Sequence, residues 1–286
     1  MKKQRAFTLL ELLVVISIIG LLSSIIFVAL GGVRDKAKRA KALHFAAQVH
    51  HALGAEAVGI WDFGDQANPT KDSSGYNNDG TINGAVYTCA STDKNNTPSG
   101  QGCALSFNGV NDYVGVAASS ELTNAALHYT VSIWVNPKID GDYWTGVVGK
   151  PGRNYNFWLG NSNDPNGGFI HHRFHTTAST NVGCPDTSAG SIPMDKWSHV
   201  VITNDGSKCQ TYINGELKTE ITFGGSLVAD STPLYIGRNL DGGDGNYYRG
   251  IIDDVRIYSK ALSSAQIQKL YAEGARERGL LAETNN

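Results

Sequence analysis

The chain has 286 residues, with 24 basic and 26 acidic side chains, a net charge of −2 and a pI near 6.4. That balance excludes a general electrostatic attraction to nucleic acid or to acidic surfaces. Glycine is abundant at 33 residues and methionine scarce at 2, which suits a turn-rich β protein better than a helical bundle.

Residues 1–6 form a short leader with Lys2, Lys3 and Arg5. Residues 7–30, FTLLELLVVISIIGLLSSIIFVAL, are almost wholly apolar, and roughly 20 such residues cross a bilayer core as a helix. Glu11 interrupts the run near its start. A carboxylate in lipid costs a few kcal/mol and calls for a partner. A cleaved secretory signal fits poorly, because the run is too long and its small residue, Ala6, comes before it.

A basic leader, Ala6 and then Phe7-Thr8-Leu9-Leu10-Glu11 resembles the N-terminus of type IV pilins and pseudopilins. The resemblance implies that a prepilin peptidase cuts between Ala6 and Phe7 and that the new amine of Phe7 is methylated. It also implies that Glu11 neutralises the amine of a neighbouring subunit in a filament. Buried alone, either charge is costly; paired, each offsets the other. Ala6 stands where the family usually has glycine. Val28 stands where major pilins often carry a kinking proline, which points to a minor pilin or a pseudopilin. The expected location is the bacterial inner membrane, held by this one helix with the head outside the cytoplasm, and afterwards a pilus or the cell surface. Arg34, Lys36, Lys38, Arg39 and Lys41 make the second flank basic too, so charge alone leaves the orientation open. The cysteines and the pilin pattern place the head outside.

Residues 31–57 continue as an amphipathic helix, with Ala37, Ala40, Leu43, Ala47 and Leu53 at helical spacing. His50 and His51 are adjacent and so point about 100° apart on a helix, which prevents joint chelation. From residue 58 the pattern changes to alternation punctuated by Gly, Asn and Asp. Strands are expected at 58–63, 104–108, 112–116, 129–136, 146–150, 154–159, 169–175, 198–204, 209–214, 234–237 and 251–258. Asn214-Gly215 marks a two-residue hairpin. Residues 262–274 read as one helix, with Ser263 as N-cap and Gly274 as stop, before a polar tail at 275–286. Cys89, Cys103, Cys184 and Cys209 include no C-x-x-C pair, so zinc and redox readings are weak. An even count in an exported domain suggests disulfides. Of the three possible pairings, Cys89–Cys103 and Cys184–Cys209 are favoured.

The order of Trp61-Asp62-Phe63, Asp72-Ser73-Ser74-Gly75, Asn78-Asp79-Gly80, Phe107-Asn108-Gly109 and Val131-Ser132-Ile133-Trp134 resembles a laminin G-like domain. Trp197-Ser198-His199, Tyr212-Ile213-Asn214-Gly215, Leu234-Tyr235-Ile236-Gly237 and Gly250-Ile251-Ile252-Asp253-Asp254 continue it. The resemblance implies a mainly β head over residues 58–274: a two-sheet antiparallel sandwich, the concanavalin A-like jelly roll, behind a long hydrophobic helix. It also implies adhesion to carbohydrate or protein, often with bound calcium.

Strict alternation puts Ile251, Asp253, Val255 and Ile257 on one face. A structural calcium would then take Asp62, Asp72, Asp79 and Asp253 among its about 6–8 oxygens. The other reading has these carboxylates accept backbone amides and cap turns. The run 241–245, DGGDG, reads as a mobile loop.

Sugar rings stack on aromatic faces. Tyr143, Trp144, Trp158, Arg173 and Tyr247 are the ligand-binding set, with Tyr155, Tyr248, His171, His172 and His175 as further company. Trp61, Trp134 and Trp197 are expected in the core. Glycoside cleavage needs two carboxylates roughly 5–5.5 or 6.5–9.5 Å apart. No Glu-x-Asp or Glu-x-Glu occurs on a strand. Glu216 and Glu220 would stand roughly 13 Å apart if extended. The expectation is a filament subunit with an adhesive head and no catalysis. The alternatives are an anchored structural protein without a ligand, or a glycan hydrolase. Expected partners are other pilin subunits, the prepilin peptidase, the membrane, and glycans or surface proteins, with no nucleic acid.

Overall fold

The computed structural model describes Leu9 and residues 12–18, 53–89, 102–139, 141–240, 246–277 and 280. The chain divides into two units, Met1–Gln48 and Val49–Asn286. In the first, Leu9 and residues 12–18 are helical with exposed apolar side chains. Among the described residues no helix is long and apolar enough to cross a membrane. Ala6, Phe7, Glu11, most of the expected span and the 241–245 loop lie outside the described residues.

The second unit is a two-sheet antiparallel sandwich, the jelly roll expected from the sequence. One sheet runs β13 (Glu216–Thr222), β12 (Lys208–Ile213), β11 (Ser198–Asn204), β6 (Tyr129–Pro137), β17 (Arg249–Tyr258), β4 (Cys103–Asn108) and β3 (Val86–Cys89). β1 (Ala57–Trp61) pairs with the last part of β17, on the edge that β4 leaves open. The other sheet runs β10 (Val182–Gly183), β9 (Phe169–Phe174), β8 (Asn156–Gly160), β7 (Trp144–Gly149), β14 (Leu234–Ile236), β5 (Tyr113–Val116) and β2 (Gly80–Asn83). A two-stranded ribbon joins β15 (Arg238–Asn239) to β16 (Asn246–Tyr247).

The core lies between the sheets. Val131, Ile133 and Val135 of β6 and Val200 and Ile202 of β11 face Phe157 and Leu159 of β8 and Ile170 and Phe174 of β9. Each strand sends alternate residues inward, so two aligned sheets interdigitate their apolar faces. Asn214 (φ 52°) and Gly215 (φ 79°) both take the left-handed conformation of a tight hairpin turn between β12 and β13. Ser263 and Gln266 form a capping box: the Ser263 N–H donates to Gln266 Oε1, and the Gln266 N–H donates to Ser263 Oγ.

Four expectations are corrected. The C-terminal helix is Ser264–Glu277, so Gly274 is interior to it rather than its stop. Trp134 is buried on the outer face of its sheet, its ring in a three-ring cluster with His199 of β11 and Tyr271 of that helix, and only Trp61 of the three expected tryptophans joins the inter-sheet core. Trp197 is half-buried ahead of β11. The shared face of Ile251, Asp253, Val255 and Ile257 does not exist. The register of β17 against β6 shifts between Asp253 and Arg256, and Asp254 has φ 50°. This bulge inserts one residue and reverses the alternation. Ile252, Val255 and Ile257 face the core, while Asp253 pairs with Trp134 on the outer face.

Both disulfides are those favoured on sequence. Cys89–Cys103 links paired residues of β3 and β4, and Cys184–Cys209 joins the segment after β10 to β12, tying the two sheets together. His172 lies beside the second pair, within 4.8 Å of both cysteine sulfurs.

Candidate functional site

A groove opens on the outer face of the sheet that contains β7, β8 and β9. Phe157 and Leu159 point inward, so Trp158 between them points out. On β9 Ile170, His172 and Phe174 are buried while His171 and Arg173 are half-exposed. Register places Trp158 opposite His171. Their ring centroids are 5.6 Å apart, and the Trp144 ring is 4.7 Å from His171.

Two glycines make this assembly possible. A β-carbon on Gly160 would run into the rings of Phe169 and Trp144, so the bare backbone lets the Trp144 indole lie down across β8. A β-carbon on Gly146 would collide with the backbone of Asn239 and Asn246, so β7 accepts the β15–β16 ribbon directly on its surface. The buried Asn156 Nδ2 donates to Asn239 Oδ1 at 3.1 Å and pins that ribbon. Asn246 thereby reaches the groove. The groove encloses about 200 Å³ and is lined by Trp144, Arg153, Trp158, His171, Arg173, Asn181 and Asn246.

The polar side chains are held from behind. His171 Nδ1 is 2.8 Å from Asp186 Oδ1, and Arg173 Nη2 is 3.5 Å from the same oxygen. Arg173 Nη1 also donates to the carbonyls of His172 and Cys184, and Arg153 Nη1 donates to that of Thr180. Burial lowers the pKa of His171, Arg173 and Arg153 lower it further, and Asp186 opposes them. A carboxylate accepts only, so the neutral ring donates from Nδ1 and offers Nε2 as an acceptor. Burial likewise lowers the pKa of Arg173, with Asp186 opposing and Arg153 adding to the shift.

The structure brings Trp144, Trp158 and Arg173 to one place. Tyr143 sits on the rim, edge-on to Trp144 at 5.1 Å and 46% exposed. Tyr247 belongs to a neighbouring cluster in which the Arg238 guanidinium lies 4.9–5.5 Å from the rings of Tyr113, Tyr235 and Tyr247. Tyr155 and Tyr248 are fully buried core residues. His172 faces inward, its Nε2 2.9 Å from Tyr129 Oη. Arg153, Asn181 and Asn246 carry no signal in the sequence, because each comes from a loop or short ribbon without alternation. The positive φ of Arg153 (60°) cannot be read from its residue type.

Three of the four carboxylates expected to hold calcium accept hydrogen bonds from the chain's own backbone N–H groups. Asp72 Oδ1 accepts from the N–H groups of Ile60 and Ser74, and Oδ2 from Ser74 Oγ and the Asn78 N–H, all at 2.7–2.9 Å. Asp79 Oδ1 accepts from the Asp72 N–H at 2.8 Å. Asp62 is exposed and accepts from the Gly64 N–H. Asp253 lies beyond the bulge beside Trp134. Among the described residues, no three of these four carboxylates lie close enough to share one ion. The physical reason is that β1 is an edge strand whose outward polar groups need partners: Asp72 accepts from the Ile60 N–H, while the Ser73 N–H and Asn78 Nδ2 donate to the carbonyls of Ile60 and Val58.

Residues 108–268 match the family described as the concanavalin A-like lectin/glucanases superfamily, and residues 1–27 match the prokaryotic N-terminal methylation motif. The adhesion G-protein coupled receptor V1 of Danio rerio is 29% identical over 156 residues, 52% of this chain but 2% of that protein, so this chain spans a very small part of the relative. Among solved structures, domain 4 of AbnA, a GH43 extracellular arabinanase from Geobacillus stearothermophilus in complex with arabinotriose, is similar. It aligns with a TM-score of 0.54 at 20% identity, covering 76% of this chain and 98% of that one. The botulinum neurotoxin serotype D ligand binding domain in complex with N-acetylneuraminic acid aligns at 0.58 and 16% identity, covering 78% and 52%. The binding domain of Paraclostridial mosquitocidal protein 1 aligns at 0.60 and 17% identity, covering 76% and 52%. At these identities the likeness to solved structures is one of fold. The family match spans more than half the chain: the chain belongs to the concanavalin A-like lectin/glucanases superfamily and carries the prokaryotic N-terminal methylation motif ahead of that domain.

Proposed function

We propose that this chain is a pilin-like or pseudopilin subunit whose lectin-like head binds carbohydrate in the groove on the β7–β9 face. The observation that carries the reading is the convergence of Trp144 and Trp158 with His171, Arg173 and Asn246 around one opening. Sugars present apolar C–H faces that stack on indole and hydroxyls that need fixed polar partners. The solved complexes of similar fold hold arabinotriose and N-acetylneuraminic acid, which supports a sugar as ligand.

The groove's chemistry supports binding over catalysis. Hydrolysis of a glycoside needs two carboxylates about the bond. None of the described residues lining the groove is a carboxylate, and nearby Asp186 is engaged by His171 and Arg173. At the other end, Glu11 is the residue that would meet the methylated amine of Phe7 on a neighbouring subunit, within the inner membrane and then in a filament.

The head is tested with the full chain in detergent micelles on a glycan array, beside Trp144→Ala. The expected result is a restricted set of sugars, lost in the variant while its unfolding midpoint is kept. A blank array favours a purely structural subunit. The N-terminus is tested by mass spectrometry of the native chain, expected to begin at methylated Phe7. Glu11→Ala should leave the subunit in the membrane but out of filaments, and normal filaments would refute the pairing.

A further inference from the structure

We propose that His172, Cys184 and Cys209 bind a divalent thiophilic ion of the zinc type in the state of the chain in which the two cysteines are thiols. This goes beyond the carbohydrate-binding reading and does not depend on it. One ring nitrogen of His172 and the sulfurs of Cys184 and Cys209 all lie within 4.8 Å of one another. They come from β9, from the segment after β10, and from β12 of the opposite sheet. No C-x-x-C spacing announces such a set, because the sandwich and not the local chain brings the ligands together.

The imidazole is prepared for this role. His172, Cys184 and Cys209 are all fully buried. The Nε2 of His172 is 2.9 Å from Tyr129 Oη, while its Nδ1 is buried without a hydrogen-bond partner among the described residues. A polar atom left in that state is costly. With the ring proton on Nε2 and donated to Tyr129 Oη, Nδ1 keeps its lone pair. A metal-bound histidine has this arrangement, its other nitrogen donating to an outer partner that fixes the ring. The Cys184 backbone is held in turn by Arg173, whose Nη1 donates to its carbonyl at 3.0 Å. Two thiolates cancel the charge of a divalent ion, so the complex adds no net charge to a dry core. Zinc takes nitrogen and sulfur ligands and imposes no geometry through its d-electrons. Binding releases the two thiol protons to solvent. A disulfide sulfur offers no thiolate, so ion and disulfide exclude one another. Either one ties β12 to the opposite sheet. The ion does so before the disulfide closes, and it enters as the buried site folds around it.

The test uses the full chain in detergent micelles with Cys89→Ser and Cys103→Ser, which leaves Cys184 and Cys209 as its only cysteines. Their disulfide is opened anaerobically with a phosphine, which becomes the phosphine oxide while water supplies the oxygen and the two thiol protons. Zinc binding is followed by calorimetric titration. Cobalt(II) in its place is followed by thiolate-to-metal charge-transfer absorption. One ion per reduced chain is expected, with the thiolate band, and no band in the unreduced chain. His172→Gln should weaken binding by about 100-fold, and Tyr129→Phe, which removes only the outer partner, by about tenfold. Near-ultraviolet circular dichroism reports the fold throughout. If reduction loosens the head, zinc should restore the parent spectrum, and should fail to do so in His172→Gln. A reduced chain that takes no ion, or takes it equally well in His172→Gln, overturns the inference, as does a loosened head that zinc does not restore. The glycan array is independent of these outcomes, so the carbohydrate reading stands or falls separately.

Discussion

Gly274, inside the C-terminal helix, lies directly against the indole of Trp134, so that a β-carbon on it would overlap Nε1 and the adjoining ring atoms. The helix thus packs on the outer face of β6 through a residue with no side chain. Alanine in a helix interior is favoured over glycine by about 1 kcal/mol, whereas overpacking costs typically about 1–3 kcal/mol. Gly274→Ala is therefore expected to lower stability by about 1 kcal/mol in urea unfolding. A gain in stability would mean that the helix is not seated on Trp134.

The two disulfides differ in what they join. Cys184–Cys209 closes 25 residues and Cys89–Cys103 closes 14. Chain entropy alone separates them by only about 0.5 kcal/mol. The first, however, lies in the core and ties the two sheets, while the second links neighbouring strands at a sheet edge. Replacing Cys184 and Cys209 together with Ala should cost about 3–5 kcal/mol. The Cys89 and Cys103 pair should cost about 2 kcal/mol or less, read from urea midpoints in one buffer.

Burial, aided by Arg173 and His171, pushes the pKa of His172 down to about 3 from 6.5. The unfolded chain therefore takes up a proton first as the pH falls. The contribution of His172 to stability is complete above pH 6.5 and declines on the way down to about 3. Its slope is about 1.4 kcal/mol per pH unit within that window. Urea midpoints between pH 6.5 and 5, where carboxylates titrate little, should show this slope in the parent chain. It should be much reduced in His172→Gln. Equal slopes in the two chains would place the imidazole in contact with water.

Asp72 accepts four hydrogen bonds, two of them from Ile60 and Asn78 across the loop. Asp72→Ala should cost about 3 kcal/mol or more, because buried N–H groups lose their acceptor. Chelation by EDTA, or added calcium, should leave the melting temperature of the parent chain unchanged. A rise of several degrees with calcium would show that the loop's carboxylates serve an ion instead of the edge of β1.

Much of the head could be read from local stereochemistry. Asn214-Gly215 makes its turn because both residues tolerate positive φ. Ser263 and Gln266 cap a helix because their side chains reach the free N–H groups at its start. β2 and β3, at four residues each, are too short for alternation to mark them in the sequence. The groove was partly legible. Trp144, Trp158 and Arg173 stand out by type, but Arg153 and Asn246 carry no pattern and arrive from a loop and a ribbon.

By itself the sequence determined the apolar N-terminal run with its acid, the sandwich class and the tight turn. Each of these depends on residue type and near neighbours. The tertiary structure decided which faces meet. One extra residue at Asp254 turned Asp253 out of the core, and the missing side chains of Gly146 and Gly160 let a ribbon and an indole settle over distant strands. Facing is set by summed register along paired strands, so a single-residue shift at one point reverses every side chain beyond it.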